Sequence, residues 1–284
     1  MIVIIVYSDN HVLVVNSTSF VFSMLFRNQI LIVCVINTVI QKHRTMKILL
    51  TFLSMSIFLI SCGGDDDNTA VINLKLEYAG EPLVMFQEFD YPDGNKIEFS
   101  RISFYISDIE LTTDGASYNG GEIYVDLTTS HSSLESSNKG LNINISDVKE
   151  DNIQSFSFNL GLNPTLNASL PSDYPSSSDL SRTGEYWSNW NSYVFVKLEG
   201  RLDRDGDGIK EAFALHLGSD EAMRSLSFNN LDNDRNIELS VDVEKVFNTG
   251  TLYDIAETPN IHSLSQIDKI NQLMDNLAGS FVLK

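Results

Sequence analysis

The chain has 284 residues, with 19 Lys and Arg against 38 Asp and Glu, a formal net charge of −19. That balance excludes a protein that grips DNA or RNA through a basic face, because phosphate contacts need Lys and Arg in excess. With 43% hydrophobic residues and 16 Phe, the chain can bury a real core, which excludes disorder throughout.

The front divides in two. Residues 1–45 are rich in Val, Ile and Phe but are interrupted by Asp9, Asn10, His11, Asn16, Arg27 and Asn28. Their longest tidy run, Ile30 to Ile40, falls short of the ~20 residues a membrane helix needs. From Met46 onward the pattern changes: Lys47 supplies a basic start, Ile48 to Ile60 an apolar run, and Ser61 a small residue before a break. That is the pattern of a secretory signal. We read Met46 as the start of translation, residues 46–61 as the signal peptide and residues 1–45 as a mis-annotated extension; a genuine long signal is the rival.

Leu59-Ile60-Ser61-Cys62 resembles the lipobox of bacterial lipoproteins, and Gly63-Gly64-Asp65-Asp66-Asp67 resembles the acidic surface-export tag of Bacteroidetes lipoproteins. The resemblance implies cleavage before Cys62, acylation of Cys62 and anchorage at the outer membrane or cell surface through lipid, with residues 62–69 as an acidic tether. Several acyl chains on one residue give stable attachment where one gives only marginal binding. Cys34 would then be lost and Cys62 blocked, leaving no disulfide. Residues 1–61 carry Arg27, Lys42, Arg44 and Lys47 against Asp9, a net +3, which leaves −22 on residues 62–284.

Beyond the tether the apolar period becomes two. Ile72, Leu74, Leu76 and Tyr78 alternate with Asn73, Lys75 and Glu77, as in a half-buried strand. Ile102, Phe104 and Ile106 alternate likewise, then Ile109 and Leu111 take the opposite parity, which places a β-bulge at Ser107-Asp108. Further strands are expected within Ile123–Leu127, Ile153–Leu160, Tyr193–Leu202, Ala212–Leu217 and Ile237–Val243. The turn clusters Asp114-Gly115, Asn119-Gly120-Gly121 and Asp232-Asn233-Asp234 should separate strands. Residues 163–186, with Pro164, Pro171, Pro175 and a Ser run, read as a long loop, and such loops are often functional.

One helix is expected, at the end. Leu264, Ile267, Ile270, Leu273, Met274 and Leu277 recur at helical spacing, with Ser263 or Ser265 as cap and Gly279 as stop. Phe281-Val282-Leu283 follows as a last strand. The fold class is therefore all-β: one β-sandwich over residues 70–284 with a C-terminal helix.

Asp203-Arg204-Asp205-Gly206-Asp207-Gly208 puts carboxylates at positions 1, 3 and 5 and Gly at 6, the arrangement that points hard oxygens at Ca²⁺. Ile209 would offer its carbonyl and Glu211 a further oxygen. Ala214 stands where an EF-hand needs Glu and strands flank the loop, so this is not an EF-hand. Two readings stay open: a hairpin stapled by calcium at Asp203, Asp205, Asp207 and Glu211, or an acidic turn that binds nothing tightly.

Residues 62–284 contain three His (131, 216 and 262) and two Trp (187 and 190). The large apolar residues of Phe213–Leu217 are at odd positions, so His216 faces away from them. The sequence shows no Gly-x-Ser-x-Gly elbow, no His-x-x-x-His pair and no glycine-rich phosphate loop, so no catalysis of its own is expected.

Five stretches in order resemble the MbnP-like family: Arg101–Leu111, Phe156–Asn163, Tyr186-Trp187-Ser188-Asn189-Trp190-Asn191-Ser192-Tyr193, Lys197-Leu198-Glu199-Gly200 and Phe213-Ala214-Leu215-His216-Leu217-Gly218. The resemblance implies a secreted or outer-membrane copper-binding protein. It also implies a partner related to the di-haem MauG peroxidases, which converts one Trp to kynurenine so that the new aryl amine joins imidazoles on copper. Nitrogen ligands of this kind suit copper, which binds them more tightly than other divalent first-row metals. Carried over, His216 is the first copper ligand and His262, in Asn260-Ile261-His262-Ser263, the second. His131, in Ser130-His131-Ser132, is a third candidate, and Trp187 or Trp190 is the ring to be oxidised. The two Trp stand three apart, with Asn189 at the position where the family pattern spaces them by two. The competing function is a metal-free, non-catalytic adhesion or binding module, stapled by calcium and using the 163–186 loop.

Overall fold

In the computed structural model, residues 68–150, 152–231 and 235–284 are described in full, and residues 4–8, 11–15, 21–26 and 29–34 as strands. The expected signal peptide, Cys62, residues 63–67 and the turn expected at 232–234 lie outside the described residues.

The chain divides into two units, Met1–Asp65 and Asp66–Lys284. The first contains two antiparallel hairpins: β1 (Ile4–Ser8) with β2 (His11–Val15), and β3 (Val21–Phe26) with β4 (Gln29–Cys34).

The second unit is a two-sheet sandwich. Its strands are β5 (Ala70–Tyr78), β6 (Glu81–Pro82), β7 (Glu88–Asp90), β8 (Lys96–Thr112), β9 (Ser117–Asp126), β10 (Leu141–Ile145) and β11 (Ser155–Leu160). After the loop come β12 (Tyr186–Trp187), β13 (Ser192–Asp203), β14 (Lys210–Gly218), β15 (Arg224–Asn229), β16 (Asn236–Asp242), β17 (Asn260–Ile261) and β18 (Phe281–Leu283). The smaller sheet has the order β10-β5-β16-β18, with β6 on β5; the larger has β15-β11-β8-β13-β14-β17, with β7, β9 and β12 added on β8 and β13. Their inner faces meet in one core, where Phe104 and Phe158 of the larger sheet approach Phe281 of the smaller at 6.0 and 5.5 Å between ring centroids.

The expected alternation is present. Every second residue of β5 is buried, from Ala70 to Tyr78. The bulge also falls where expected: pairing of β8 slips between Ile106 and Ile109, and Asp108 takes φ +50°. Asn119-Gly120-Gly121, expected as a turn, lies inside β9 instead. Gly121 (φ +73°) absorbs a second bulge opposite Ile109, and a Cβ on Gly120 would meet Ile145 at 2.7 Å. Val243 is not strand but opens a short helix, Val243–Phe247. The C-terminal helix runs Ile267–Gly279 and buries Ile270, Leu273, Met274 and Leu277. Ser263, not Ser265, caps the turn before it by accepting from the Ser265 N–H. Among the described residues, no helix is long and apolar enough to cross a membrane.

Residues 163–186 form a loop of one short α-turn (Pro164–Asn167) and three single 3₁₀ turns. It packs on the outer face of the larger sheet. Tyr105 and Tyr193 of β8 and β13 donate their hydroxyls to the carbonyls of Asp179 and Leu180, and Lys197 donates to that of Gly184. This explains why residues 192–198 of β13 are all buried and read in sequence as a nearly unbroken apolar run.

Candidate metal centre

His216 lies on β14, where Phe213, Leu215 and Leu217 point into the core. Alternation sends its imidazole to the outer face, as the parity of the sequence requires. Strand β17 runs parallel to β14, pairing Ala214 with Asn260 and Leu215 with Ile261. This short edge pairing delivers His262 beside His216. The two imidazoles lie 4.9 Å apart between centroids, tilted by 40°.

The tryptophans arrive from the other side. Strand β12 pairs with the start of β13, Trp187 opposite Ser192. The indole of Trp187 stands edge-on to both imidazoles, 5.2 Å from His216 and 5.2 Å from His262. The chain then turns tightly, the Trp190 N–H donating to the Trp187 carbonyl at 3.0 Å and Asn191 closing the turn at φ +48°. The three-residue spacing of the Trp pair is therefore the spacing of a turn, which brings the two indoles to 4.6 Å. Only Trp187 touches the histidines in this way. Trp190, 9% exposed, faces an open cleft of about 360 Å³ whose other walls include Asn167, Ser219, Asp220 and Ile267.

Behind His216 is a set of charged groups. Its Nε2 lies 2.9 Å from the Glu199 carboxylate. Lys197 is the residue directly across from His216 on β13, so Glu199 is its diagonal neighbour on the same face. Arg101, paired across to Glu199 from β8, lies 3.8 Å from that carboxylate and 2.7 Å from Glu185 of the loop; Lys197 lies 2.8 Å from Glu185. The hydrogen bond with His216, aided by Arg101, holds the Glu199 carboxyl below the usual carboxylate range despite partial burial. His262 is pushed below the ordinary histidine range, first by desolvation and then by the nearness of His216, against the pull of Glu199. That favours the neutral imidazole a metal requires.

His216 Nδ1 is buried with no hydrogen-bond partner. A buried nitrogen left unpaired is expensive, and this one belongs to a ring whose other nitrogen faces a carboxylate. Metal-bound histidines have this arrangement, one nitrogen on the ion and the other hydrogen-bonded to an outer carboxylate. The donor set therefore fits a soft to borderline cation. Among the described residues no three His, Cys, Asp or Glu side chains gather as a metal cage, so two imidazoles need a third donor of another kind.

His131 is not part of this group. It is 0% exposed, its Nε2 accepts the Leu76 N–H at 3.0 Å, and its Nδ1 lies 3.2 Å from the Leu127 carbonyl. Burial lowers its pKa to about 4. Both nitrogens are engaged in joining β5 to the turn after β9, so the expectation of a third copper ligand here is corrected: the ring has no lone pair to give.

The acidic loop is less decided. Asp207 accepts the Ile209 N–H, Glu211 is paired with Arg204, and Asp205 is exposed at φ +73°. Asp203, 6% exposed, accepts the Gly208 N–H through Oδ2 while its Oδ1 is buried without a partner. The four carboxylates are not pre-assembled around one point.

The functional residues missed in sequence are Glu199, Arg101, Lys197 and Glu185. Lys197 and Glu199 could have been noticed as the first of four same-parity charges in β13, with Arg201 and Asp203 after them, a pattern that marks a polar network on one face.

The MbnP family model matches residues 67–263. The chain belongs to the MbnP family. The match includes both tryptophans, His216 and His262. Among solved structures, MbnP from Methylosinus trichosporium is similar, with 11% identity, a TM-score of 0.45, and coverage of 65% of this chain and 78% of that one. No curated protein matches.

Proposed function

We propose that this member of the MbnP family binds copper at the outer face of its larger sheet, without catalysis of its own, for copper acquisition or handling. One observation carries the reading: the rings of His216, His262 and Trp187 are in mutual contact, and the His216 ring has a buried nitrogen without a partner. His216 and His262 would hold the ion. Trp187 is the ring to be oxidised, since its edge already lies against both imidazoles. Opening the indole across its C2–C3 bond is a four-electron oxidation, for which a di-haem MauG-like partner would use two equivalents of peroxide, leaving one oxygen on each carbon and releasing two waters. Hydrolysis then releases formate and leaves an aryl amine as third donor. Trp190 is in ring contact with Trp187 and faces the cleft. The apolar run to Ile60 with Ser61-Cys62 and the acidic residues behind it support a lipid anchor at Cys62, on the outer membrane or cell surface.

The test is co-expression with a candidate di-haem peroxidase, followed by metal analysis and peptide mapping. Copper near one equivalent, with the kynurenine mass on the peptide of Trp187 and not Trp190, is expected. Stoichiometric copper retained after loss of both His216 and His262 would refute the site. For anchorage, Cys62→Ala should release the protein from membranes or leave an uncleaved precursor; unchanged fractionation and mass would contradict it.

A second reading rests on the sealed Oδ1 of Asp203. A calcium ion drawn into the 203–211 loop would satisfy that oxygen and staple the β13–β14 hairpin. It is compatible with copper at the other site, or with a surface adhesion module lacking copper.

A further inference from the structure

We propose that Glu199 is a positioning residue that decides which nitrogen of His216 is offered to the metal; this rests on the copper reading above. A neutral imidazole carries one N–H and one lone pair, and the hydrogen bond made by one nitrogen decides the role of the other. The Glu199 carboxylate, 2.9 Å from Nε2, can only accept. Nε2 must therefore be the N–H, and Nδ1, buried and unpartnered, keeps the lone pair.

The network behind Glu199 gives that carboxylate a counter-charge of its own. Arg101 and Lys197 supply two positive charges, and Glu185 and Glu199 two negative ones, at separations of 2.7 to 3.8 Å. The four charges balance among themselves, so the carboxylate of Glu199 has its counter-charge in Arg101 and does not need an imidazolium. Removing one member would leave an uncompensated charge in a half-buried place, which is costly. The strand register itself places the residues: Arg101 of β8 is directly across from Glu199 of β13, and His216 of β14 is the diagonal neighbour of Glu199 on the same outer face.

The molecule contains its own reference. His131 has the opposite pattern: its Nε2 accepts from the Leu76 N–H, so its N–H must be at Nδ1, toward the Leu127 carbonyl. Two-bond ¹H–¹⁵N correlation spectra of ¹⁵N-histidine-labelled, metal-free protein near pH 8 should show His216 with its proton on Nε2 and His131 with its proton on Nδ1. In Glu199→Ala, His216 should become a tautomer mixture while His131 stays unchanged; Glu199→Gln, whose amide oxygen still accepts, should restore the Nε2–H form. With Cu(I) alone as probe against a competing chelator, Glu199→Ala should bind about 10- to 100-fold more weakly, and Glu199→Gln should recover most of that loss. Circular dichroism and melting establish that each variant is folded. A wild-type His216 protonated on Nδ1, or a Glu199→Ala spectrum identical to wild type, overturns the proposal. Copper binding unchanged by His216→Ala overturns the copper reading instead, and the tautomer result stands apart from it.

Discussion

His131 and His216 are both withdrawn from water in the same sandwich, yet their surroundings assign them opposite tasks. His131 has every polar atom paired: one nitrogen takes a backbone N–H from β5, the other faces the Leu127 carbonyl, and its own carbonyl receives the Met85 N–H. His216 has one nitrogen on a carboxylate and one with nothing. Burial alone therefore does not distinguish a structural histidine from a ligand. The accounting of its lone pairs does: the fully paired ring has none to give, and the ring with an unpartnered nitrogen has one.

The comparison is broken most directly by exchanging the roles. His216→Ala and His262→Ala should each lower copper affinity at least 100-fold, with little change in melting, since both rings are on the outer face and outside the core. His131→Ala should do the reverse: copper binding stays, and stability falls by about 3 kcal/mol from the lost packing and the orphaned Leu76 N–H. Paired titrations of copper and denaturant on the three variants check both arms. Equal loss of copper in all three would mean that the distinction is false.

Acid should separate them next. The folded state holds the His131 pKa at about 4, below the 6.5 of an unhindered histidine. The unfolded chain therefore takes up a proton that the native state refuses. This contribution to stability is complete above pH 6.5 and is lost as pH falls from 6.5 toward 4, by up to about 3 kcal/mol. His131→Gln can still accept the Leu76 N–H but does not titrate. The difference in unfolding free energy between wild type and His131→Gln should shrink over that window, measured in urea at half-unit pH steps. A constant difference would show that His131 takes up its proton as readily in the native state as in the unfolded chain.

Much of this architecture was legible beforehand, and the failures have physical causes. The alternation of β5, the bulge at Ser107-Asp108 and the 267–279 helix follow from periods that one buried face imposes on a local stretch. The outward aim of His216 came from the same parity. Asn119-Gly120-Gly121 misled because Asn and Gly serve bulges as readily as turns, and only the partner strand distinguishes them. Strand β15 escaped notice because Leu226 and Phe228 are its only large apolar residues, and both are only half-buried. The Arg101–Glu199–His216 group could not be read from spacing. It depends on the register of β8 against β13, which are distant in sequence, and no local pattern encodes that. The Trp spacing was the reverse case: three instead of two looked like a departure, and a tight turn made it a ring contact.

The smallest expected effect concerns another unpaired buried atom, Oδ1 of Asp203. Here the comparison with His216 is sharpened, because both sites leave a buried acceptor open but differ in how ready the rest of the donor set is. Around His216 a second imidazole and an indole are already in contact. Around Asp203, Asp207 is turned to its own loop amide and Glu211 to Arg204, so an ion must first recruit Asp207 and Glu211 against these partners. Ordering an exposed loop offsets part of the binding energy, and the affinity should be modest. At a calcium concentration ten times the dissociation constant, linkage adds about 1.4 kcal/mol, a rise of a few degrees in melting temperature for a domain of this size. Millimolar Ca²⁺ should therefore raise the melting point of wild type, and chelator reverse it, while Asp203→Asn shows neither response. The same shift in wild type and Asp203→Asn would assign calcium to the acidic surface at large, and no shift in wild type would leave the loop as an acidic turn whose Gly206 and Gly208, at φ +66° and +82°, serve the chain reversal alone.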